Sequence, residues 1–358
     1  MQENKKTFVG IDLGKRMLEA ARINDDDSIE RFQSKTDAIG RQRLLKWLRP
    51  SDVIALEAGN LSFLLAKSIM TINHNDVYVL NAGDIAVIYN SLKKTDKEDS
   101  LKLARLIKRH PIKELPVVRI PDKFEEDARI LISEQEYWVT SRTRAFNRLH
   151  SIITNTGLPT VTKKDIKNPV VRKTIIDGLD YWARQIANRL LLEIELSEDN
   201  IKKIEVEITD MLKEKKDETK IIMSVTGIAK ITTLTIMAYI GDGSRFSRAE
   251  QVSYYAGLVP RIDISGDTEK NCRIIKRGCH QLKRLMIQCA WSLVISKKGG
   301  YLKEKFDELS KRKGKGKAIV AVARKMLELV YHLLRKGETC NFTSEFDLRK
   351  KLAFYKII

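Results

Sequence analysis

The apolar residues of this chain change their spacing at Pro121, and that change limits its possible folds more than any other feature. Before Pro121 short runs of strand length alternate with helical stretches, and after it the apolar residues recur mainly with a helical period. Thr7–Ile11 is one such run. Leu18–Ile23 and Ile29–Phe32 are candidate strands on either side of the turn Asn24-Asp25-Asp26-Asp27, so the first three runs predict a meander. Ala38–Leu48 reads as a helix stopped by Pro50, Val53–Leu56 as a strand, and Leu61–Ile72 as a helix with one apolar face. Val77–Leu80 reads as a strand, Ser100–Lys108 as a helix and Leu115–Ile120 as a further extended run.

Three adjacent strands followed by alternating helix and strand is the order of a ribonuclease-H-like mixed sheet, in which strands one and four are neighbours. Between Phe124 and Ile153, Ala128, Leu131, Ile132, Trp138, Phe146, Leu149 and Ile153 fall on one helical face. Asn155-Thr156-Gly157-Leu158-Pro159 breaks the run, and a second long pattern covers Tyr181–Lys215. Two long helices around one break predict an antiparallel, coiled-coil-like pair. From Lys220 on, the chain reads as mostly helical, with a break at Thr226-Gly227-Ile228-Ala229, a loop-rich stretch from Gly257 to Gly278, helices over Leu282–Ser296 and Ala318–Leu334, and a polar, peripheral tail after Lys336. The fold class is therefore α/β plus α, divided into residues 1–121, 122–219 and 220–358.

Charge narrows the partners. The 358 residues carry 66 Lys and Arg against 47 Asp and Glu, a net charge of +19. A field of that sign attracts polyanions, with nucleic acid the leading class and an anionic membrane surface second. No run of about 18 apolar residues is present, so no membrane-spanning helix is expected. The first residues lead directly into a strand, so no signal peptide is expected either. The four cysteines have no CxxC spacing, which suits a reduced, cytoplasmic protein without a zinc site; the pair Cys279-His280 lacks further partners.

Three constellations have chemical potential. Asp12 follows the apolar run Phe8-Val9-Gly10-Ile11 and Glu57 ends Val53-Ile54-Ala55-Leu56, so neighbouring strands would bring both acids together. Asp96 and Asp99 share a helix face by their spacing of three. Oxygen ligands clustered this way hold Mg²⁺ or Mn²⁺, which stabilise attacking and leaving oxygens in phosphoryl transfer; the plainer reading makes Asp96 or Asp99 a helix cap. The loop Arg261-Ile262-Asp263-Ile264-Ser265-Gly266 exposes a serine hydroxyl on a Gly-flanked turn, near the cations of Lys276-Arg277-Gly278, although Ser-Gly is also ordinary turn chemistry. Val225-Thr226-Gly227-Ile228-Ala229-Lys230 reads equally as a phosphate-gripping helix-hairpin-helix element or as a plain turn. Arg142, Arg144 and Arg148, Lys276 and Arg277, and Lys311, Arg312 and Lys313 are candidate nucleic-acid contacts, with a solvated helix face as the alternative.

At these residues the chain resembles the insertion-sequence-110 family of transposases and the related Piv-type DNA invertases, the DEDD recombinases. The resemblance rests on Gly10-Ile11-Asp12-Leu13-Gly14-Lys15, Leu56-Glu57-Ala58 and Lys94-Thr95-Asp96-Lys97-Glu98-Asp99 with Leu103-Ala104. It continues through Gly227-Ile228, Gly241-Asp242, Arg245-Phe246, Gly257-Leu258-Val259-Pro260, Ser265-Gly266 and Ile275-Lys276-Arg277-Gly278. One departure is that Gly59 stands one residue earlier after Glu57 than in the family pattern. The resemblance implies a RuvC-like N-terminal domain, a coiled-coil middle and a C-terminal transposase domain. It implies that Asp12, Glu57, Asp96 and Asp99 bind metal, and that Ser265 is the nucleophile forming a covalent link to DNA. It further implies a homo-oligomer, dimer or tetramer, in which acidic sites meet serines of other subunits, and in several members a guide or bridge RNA.

Three other readings compete. Gly10-Ile11-Asp12-Leu13-Gly14 is similar to the first phosphate loop of the actin and sugar-kinase class, but no second Gly-rich loop follows and the charge of +19 suits that class poorly. A metal-dependent junction nuclease would use the acids and ignore Ser265. A non-catalytic nucleic-acid-binding protein would need neither.

Overall fold

The computed structural model describes residues 6–88, 96–157, 161–265, 268–275 and 277–358, and only the backbone of 86–88, 96, 97, 163, 262–265 and 268–273. The chain forms two compact units, Met1–Asp122 and Lys123–Ile358.

The first unit is built on a six-stranded mixed sheet. Its strands are β1 (Thr7–Leu13), β2 (Met17–Ile23), β3 (Ile29–Lys35), β4 (Asp52–Glu57), β5 (Asp76–Leu80) and β6 (Val117–Val118), in the order β3-β2-β1-β4-β5-β6. The meander anticipated from the sequence is present, with β1, β2 and β3 antiparallel. Strands one and four are neighbours as expected and pair in parallel, Gly10 opposite Ala55 and Ile11 opposite Leu56. The final strand is far shorter than the apolar run Leu115–Ile120, because Pro116 and Pro121 bracket it and neither has an N–H to give a ladder.

The helices of this unit are α1 (Ala38–Trp47), α2 (Ser62–Ile72), α3 (Ala82–Ile88) and α4 (Asp96–Arg109). Side chains alternate across a strand, and here the alternation sorts them into two cores. Val9, Ile11, Leu18, Ala20, Ile54, Leu56, Val77 and Val79 pack with Leu44, Leu65, Ala66 and Ile69 of α1 and α2. On the opposite face Val53, Ala55 and Leu80 pack with Leu103, Leu106 and Ile107 of α4, and Ala21 and Ile23 pack with Leu101 and Ala104. At the N-terminal edge of β1 and β4 a buried guanidinium ties the strands together. Arg22 donates from Nε and Nη2 to the two carboxylate oxygens of Asp52 at 2.9 and 2.8 Å, and from Nη1 to Glu30 at 2.7 Å. Its guanidinium also lies 3.9 Å from the centre of the Trp47 ring.

The second unit is helical. It comprises α5 (Lys123–Asn155), α6 (Lys163–Lys167), α7 (Pro169–Asp177), α8 (Tyr181–Glu214), α9 (Lys216–Met223), α10 (Lys230–Ile240), α11 (Ala249–Tyr255), α12 (His280–Ile295), α13 (Gly300–Lys313), α14 (Lys315–Lys336) and α15 (Glu345–Phe354). The two long helices form an antiparallel pair. Ala128 and Ile132, early in α5, share a core with Ile204, Ile208 and Leu212, late in α8, whereas Leu149 and Ile153 pack with Ala187 and Leu190.

Two readings of the sequence are corrected here, the loop-rich stretch and the peripheral tail. The stretch from Gly257 to Gly278 is largely a hairpin of β7 (Pro260–Ser265) and β8 (Thr268–Ile274), since Arg261-Ile262-Asp263-Ile264 already alternates with period two. The basic stretch 310–317 is helical except around Gly314 at φ +78°, because Lys and Arg favour helix and only that glycine takes the left-handed turn. The tail is not peripheral, since Leu348, Leu352 and Ile357 are buried in the main core, where spacings of four and five residues inside a charged segment hid them. Among the described residues no helix is long and apolar enough to cross a membrane.

Candidate active site

The acids of the first unit meet through strand register. Ile11 and Leu56 are the last paired residues of the parallel ladder, so Asp12 and Glu57 are the next residues of adjacent strands and share a face. That face is the one on which Val53 and Ala55 meet α4. Asp12 is half-buried and Glu57 exposed.

α4 reaches these acids because of one glycine. A Cβ on Gly10 would fall within the Ser100 carbonyl oxygen, 2.5 Å from the Ala104 nitrogen and 2.7 Å from the Leu103 Cβ. The helix therefore lies directly on β1 two residues before Asp12. Ser100 touches Gly10, while Leu106 and Ile107 reach Val53, early in β4, so α4 runs antiparallel to β1 and points its N-terminal turn at the Asp12 end. Asp96 opens that turn and Asp99 follows within it. Asp99 accepts a hydrogen bond from Lys102 Nζ at 2.6 Å. The side chain of Asp96 lies outside the described residues. Among the described residues no three His, Cys, Asp or Glu side chains are grouped to hold a metal ion. The donors that the backbone gathers at this end of the sheet are all carboxylate oxygens, the chemistry suited to Mg²⁺ or Mn²⁺.

A carboxylate that the sequence reading passed over belongs to the same face. Glu19 on β2 stands directly opposite Asp12. Its sequence signal was available in the short turn Gly14-Lys15-Arg16, which fixes Leu13 opposite Leu18 and hence Asp12 opposite Glu19.

Ser265 is the last residue of β7 and pairs with Thr268; its side chain lies outside the described residues. The root of its hairpin is a close crossing of two glycines. A Cβ on Gly278 (φ +106°) would stand 2.7 Å from the Gly257 nitrogen, and one on Gly257 (φ +71°) 2.5 Å from the Arg277 carbonyl. Lys283, in the first turn of α12, donates to the Ile275 carbonyl at 3.0 Å and closes the crossing. Gly227 at φ +90° turns inward, so that a Cβ there would stand 2.6 Å from the Cys289 carbonyl.

The candidate nucleic-acid contacts divide by exposure. Arg144 and Arg148 are exposed on α5, and half-buried Arg142 lines an open groove with Phe146, Lys167 and Glu198. Lys311, Arg312 and Lys313 are exposed in the last turn of α13, and Arg277 is exposed beside the hairpin root, whereas Lys276 lies outside the described residues. Burial pushes the thiols of Cys279, Cys289 and Cys340 up from their ordinary value, so all three are protonated at neutral pH.

Two family descriptions match the chain in succession. Residues 9–157 match the DEDD transposases of the IS110 type, and residues 219–307 match the family described as Transposase IS116/IS110/IS902. The chain belongs to the IS110 family of transposases. The transposase for insertion sequence element IS1111A of Coxiella burnetii is similar at 28% identity over 260 residues, 70% of this chain and 69% of that protein. The pilin gene-inverting protein of Moraxella bovis is similar at 24% identity over 350 residues, 93% of this chain and 97% of that one. The first IS110 match takes in the whole acidic face of the sheet, and the second takes in the hairpin that carries Ser265.

Proposed function

We propose that this IS110-family chain is a DNA recombinase that cuts and rejoins strands through a serine–DNA link, using a divalent-metal acidic site. The observation that carries the reading is the parallel register of Asp12 and Glu57 beneath the N-terminal turn of α4, within a family of transposases. The relatives support it by name, one for an insertion element and one for inverting a pilin gene. The sheet is read as RuvC-like, and the three-part division at 1–121, 122–219 and 220–358 is retained, with the α5–α8 pair as the coiled-coil region and Thr226–Ala229 as a hairpin of the helix-hairpin-helix kind.

Asp12, Glu57, Asp96 and Asp99 are assigned to hold Mg²⁺ or Mn²⁺. The bound cation would stabilise negative charge on the attacking and departing oxygens. Ser265 Oγ attacks the phosphorus, a new O–P bond forms, and the phosphodiester bond to the departing strand breaks. The serine proton is balanced by the proton taken up on the departing oxygen, which leaves as a hydroxyl. Because one ester replaces another, the reverse attack by a strand hydroxyl rejoins DNA without a nucleotide cofactor. In the proposed working unit, a dimer or tetramer, the acids of one copy meet Ser265 of another. The exposed cations Arg144, Arg148, Lys311, Arg312 and Lys313, with Arg142, Lys276 and Arg277, are assigned to DNA phosphates and to a guide RNA transcribed from the element. A location in the cytoplasm, at the nucleoid, follows from that substrate.

The test is a denaturing gel that traps a covalent protein–DNA species after incubation with Mg²⁺, element-end DNA and RNA from that end. The expected adduct is lost in Ser265→Ala and in Asp12→Ala. Cleavage that survives Ser265→Ala without an adduct would replace this reading with a metal-dependent nuclease.

A further inference from the structure

Along one face of α12 the chemistry changes in order from charged to aromatic. Lys283, Ile287, Trp291 and Ile295 follow one another at four-residue steps and so form a single stripe. The first three of them, with His280, Arg284 and Gln288, line an open groove of about 370 Å³, and no carboxylate is among its lining residues. Cations hold its N-terminal end. Lys283 gives one of its three N–H donors to the Ile275 carbonyl and has two more for a ligand. Arg284 meets Glu136 of α5 at 3.2 Å, a pair partly exposed on both sides, and Arg277 stands exposed just before the helix.

The other end is aromatic and apolar. Trp291 is 37% exposed, and the buried Phe306 of α13 pins its ring edge-on, with centroids 5.7 Å apart. Ile295, one turn further on, is 78% exposed. Single exposed apolar side chains are ordinary on a protein surface. A fixed indole about 10–12 Å along a helix from two cations is instead the combination that holds a nucleotide strand, with charge for the phosphates and a flat ring for a base. A duplex covers the faces of its bases, so the ligand that suits such a ring is single-stranded. The position of the groove selects the strand. α12 begins at the glycine crossing that roots the Ser265 hairpin, and Ser265 lies along β7 from Pro260. That separation is about 17 Å, the length of about five stacked nucleotides.

We propose that the α12 groove holds an unpaired stretch of the DNA strand that is cut, with a base on Trp291 and phosphates toward Lys283 and Arg284. The inference rests on DNA as the substrate of the proposed recombinase and adds where the strand is kept while it is out of the duplex. It does not depend on the serine step.

The experiment measures binding of the full chain to a short single-stranded DNA, to the duplex made from it, and to RNA of the same sequence. Wild type, Trp291→Ala, Trp291→Phe and Arg284→Gln are compared. Trp291→Ala should weaken single-strand binding about 5- to 150-fold, the loss of one base stack, and leave duplex binding unchanged. Trp291→Phe should keep most of the affinity. The tryptophan emission of wild type should fall as single strand is added, and that fall should shrink in Trp291→Phe. Arg284→Gln should flatten the single-strand salt slope by about 0.7. Unchanged single-strand affinity in Trp291→Ala would overturn the proposal. Equal losses on single strand and duplex would overturn it as well, since they mark a damaged fold or plain phosphate binding. RNA bound more tightly than DNA, with the same dependence on Trp291, would give the groove to a guide RNA and overturn its assignment to the cut strand. The adduct gel tests Ser265 separately: a missing adduct with an intact Trp291 effect would leave this inference standing, and the reverse result would leave the recombinase standing.

Discussion

Gly10 and Ser100 are in direct backbone contact, with the Ser100 carbonyl oxygen occupying the space where any Cβ at position 10 would stand. This contact sets the height of α4 above β1 and so the reach of its N-terminal turn toward Asp12. A methyl group here meets backbone atoms, which cannot rotate away. Gly10→Ala should therefore lift the helix, at an overpacking cost of about 1–3 kcal/mol. DNA cleavage and adduct formation should fall together, while duplex affinity is kept by the cations on other elements. Urea unfolding and a filter-binding assay measure the two effects; full cleavage activity in Gly10→Ala would show that α4 does not position the acids.

The Arg22–Asp52 pair is buried on both sides, and each partner makes further bonds. Asp52 accepts from Thr7 Oγ1 at 2.5 Å and from the Arg49 backbone at 2.7 Å. Removing one member of a buried pair leaves an uncompensated charge and costs about 3–5 kcal/mol. Asp52→Ala should destabilise the first unit by that amount in denaturant unfolding. Arg22→Met with Asp52→Leu should recover much of it, because an apolar pair has no charge to desolvate. A single variant that unfolds like wild type would mean the guanidinium is satisfied by Glu30 and by the Trp47 carbonyl, to which its Nη2 also donates at 2.8 Å.

The sheet and its two cores were legible because strand length, apolar alternation and turn residues agreed between Thr7 and Leu80. The acids Asp12 and Glu57 were legible for the same reason, each being the polar residue that ends an apolar run. Glu19 was not, because it lies inside a run, where its neighbours Leu18 and Ala20 face the other core and the pattern shows only an interruption. The hairpin of Ser265 was hidden by its glycines and by its charged residues, which suit an exposed two-stranded ribbon and a loop equally well. The C-terminal helix α15 was hidden by composition, since five of its ten residues are charged and only Leu348 and Leu352 are buried.

The exposed turn between α13 and α14 tests the assignment to nucleic acid. Lys311, Arg312 and Lys313 lie in the last turn of α13, where cations favour the helix C-terminus without any partner. If they also neutralise phosphates, each contact releases counterions and contributes about 0.9 to the slope of log affinity against log salt. Replacing all three with Gln should flatten that slope by about 2–3 for duplex DNA and weaken binding equally on unrelated sequences. An unchanged slope would confine these residues to the helix.

Lys351 provides a pH test of the core that the tail completes. Its ammonium donates to the Met223 carbonyl at 2.6 Å and the Val225 carbonyl at 3.2 Å, next to the Gly227 turn. Burial pushes it down from 10.5 to about 8. Between those two values the unfolded chain binds the proton that the folded chain has released, so stability rises with pH through that window. The cost of holding the charged form in the fold is present below about pH 8 and relieved by pH 10.5, a difference on the order of 2–3 kcal/mol. Lys351→Met removes this titration. The stability of wild type relative to Lys351→Met should therefore climb between pH 8 and 10 when both are unfolded in urea. A relative stability that stays level across that range would place the ammonium in water.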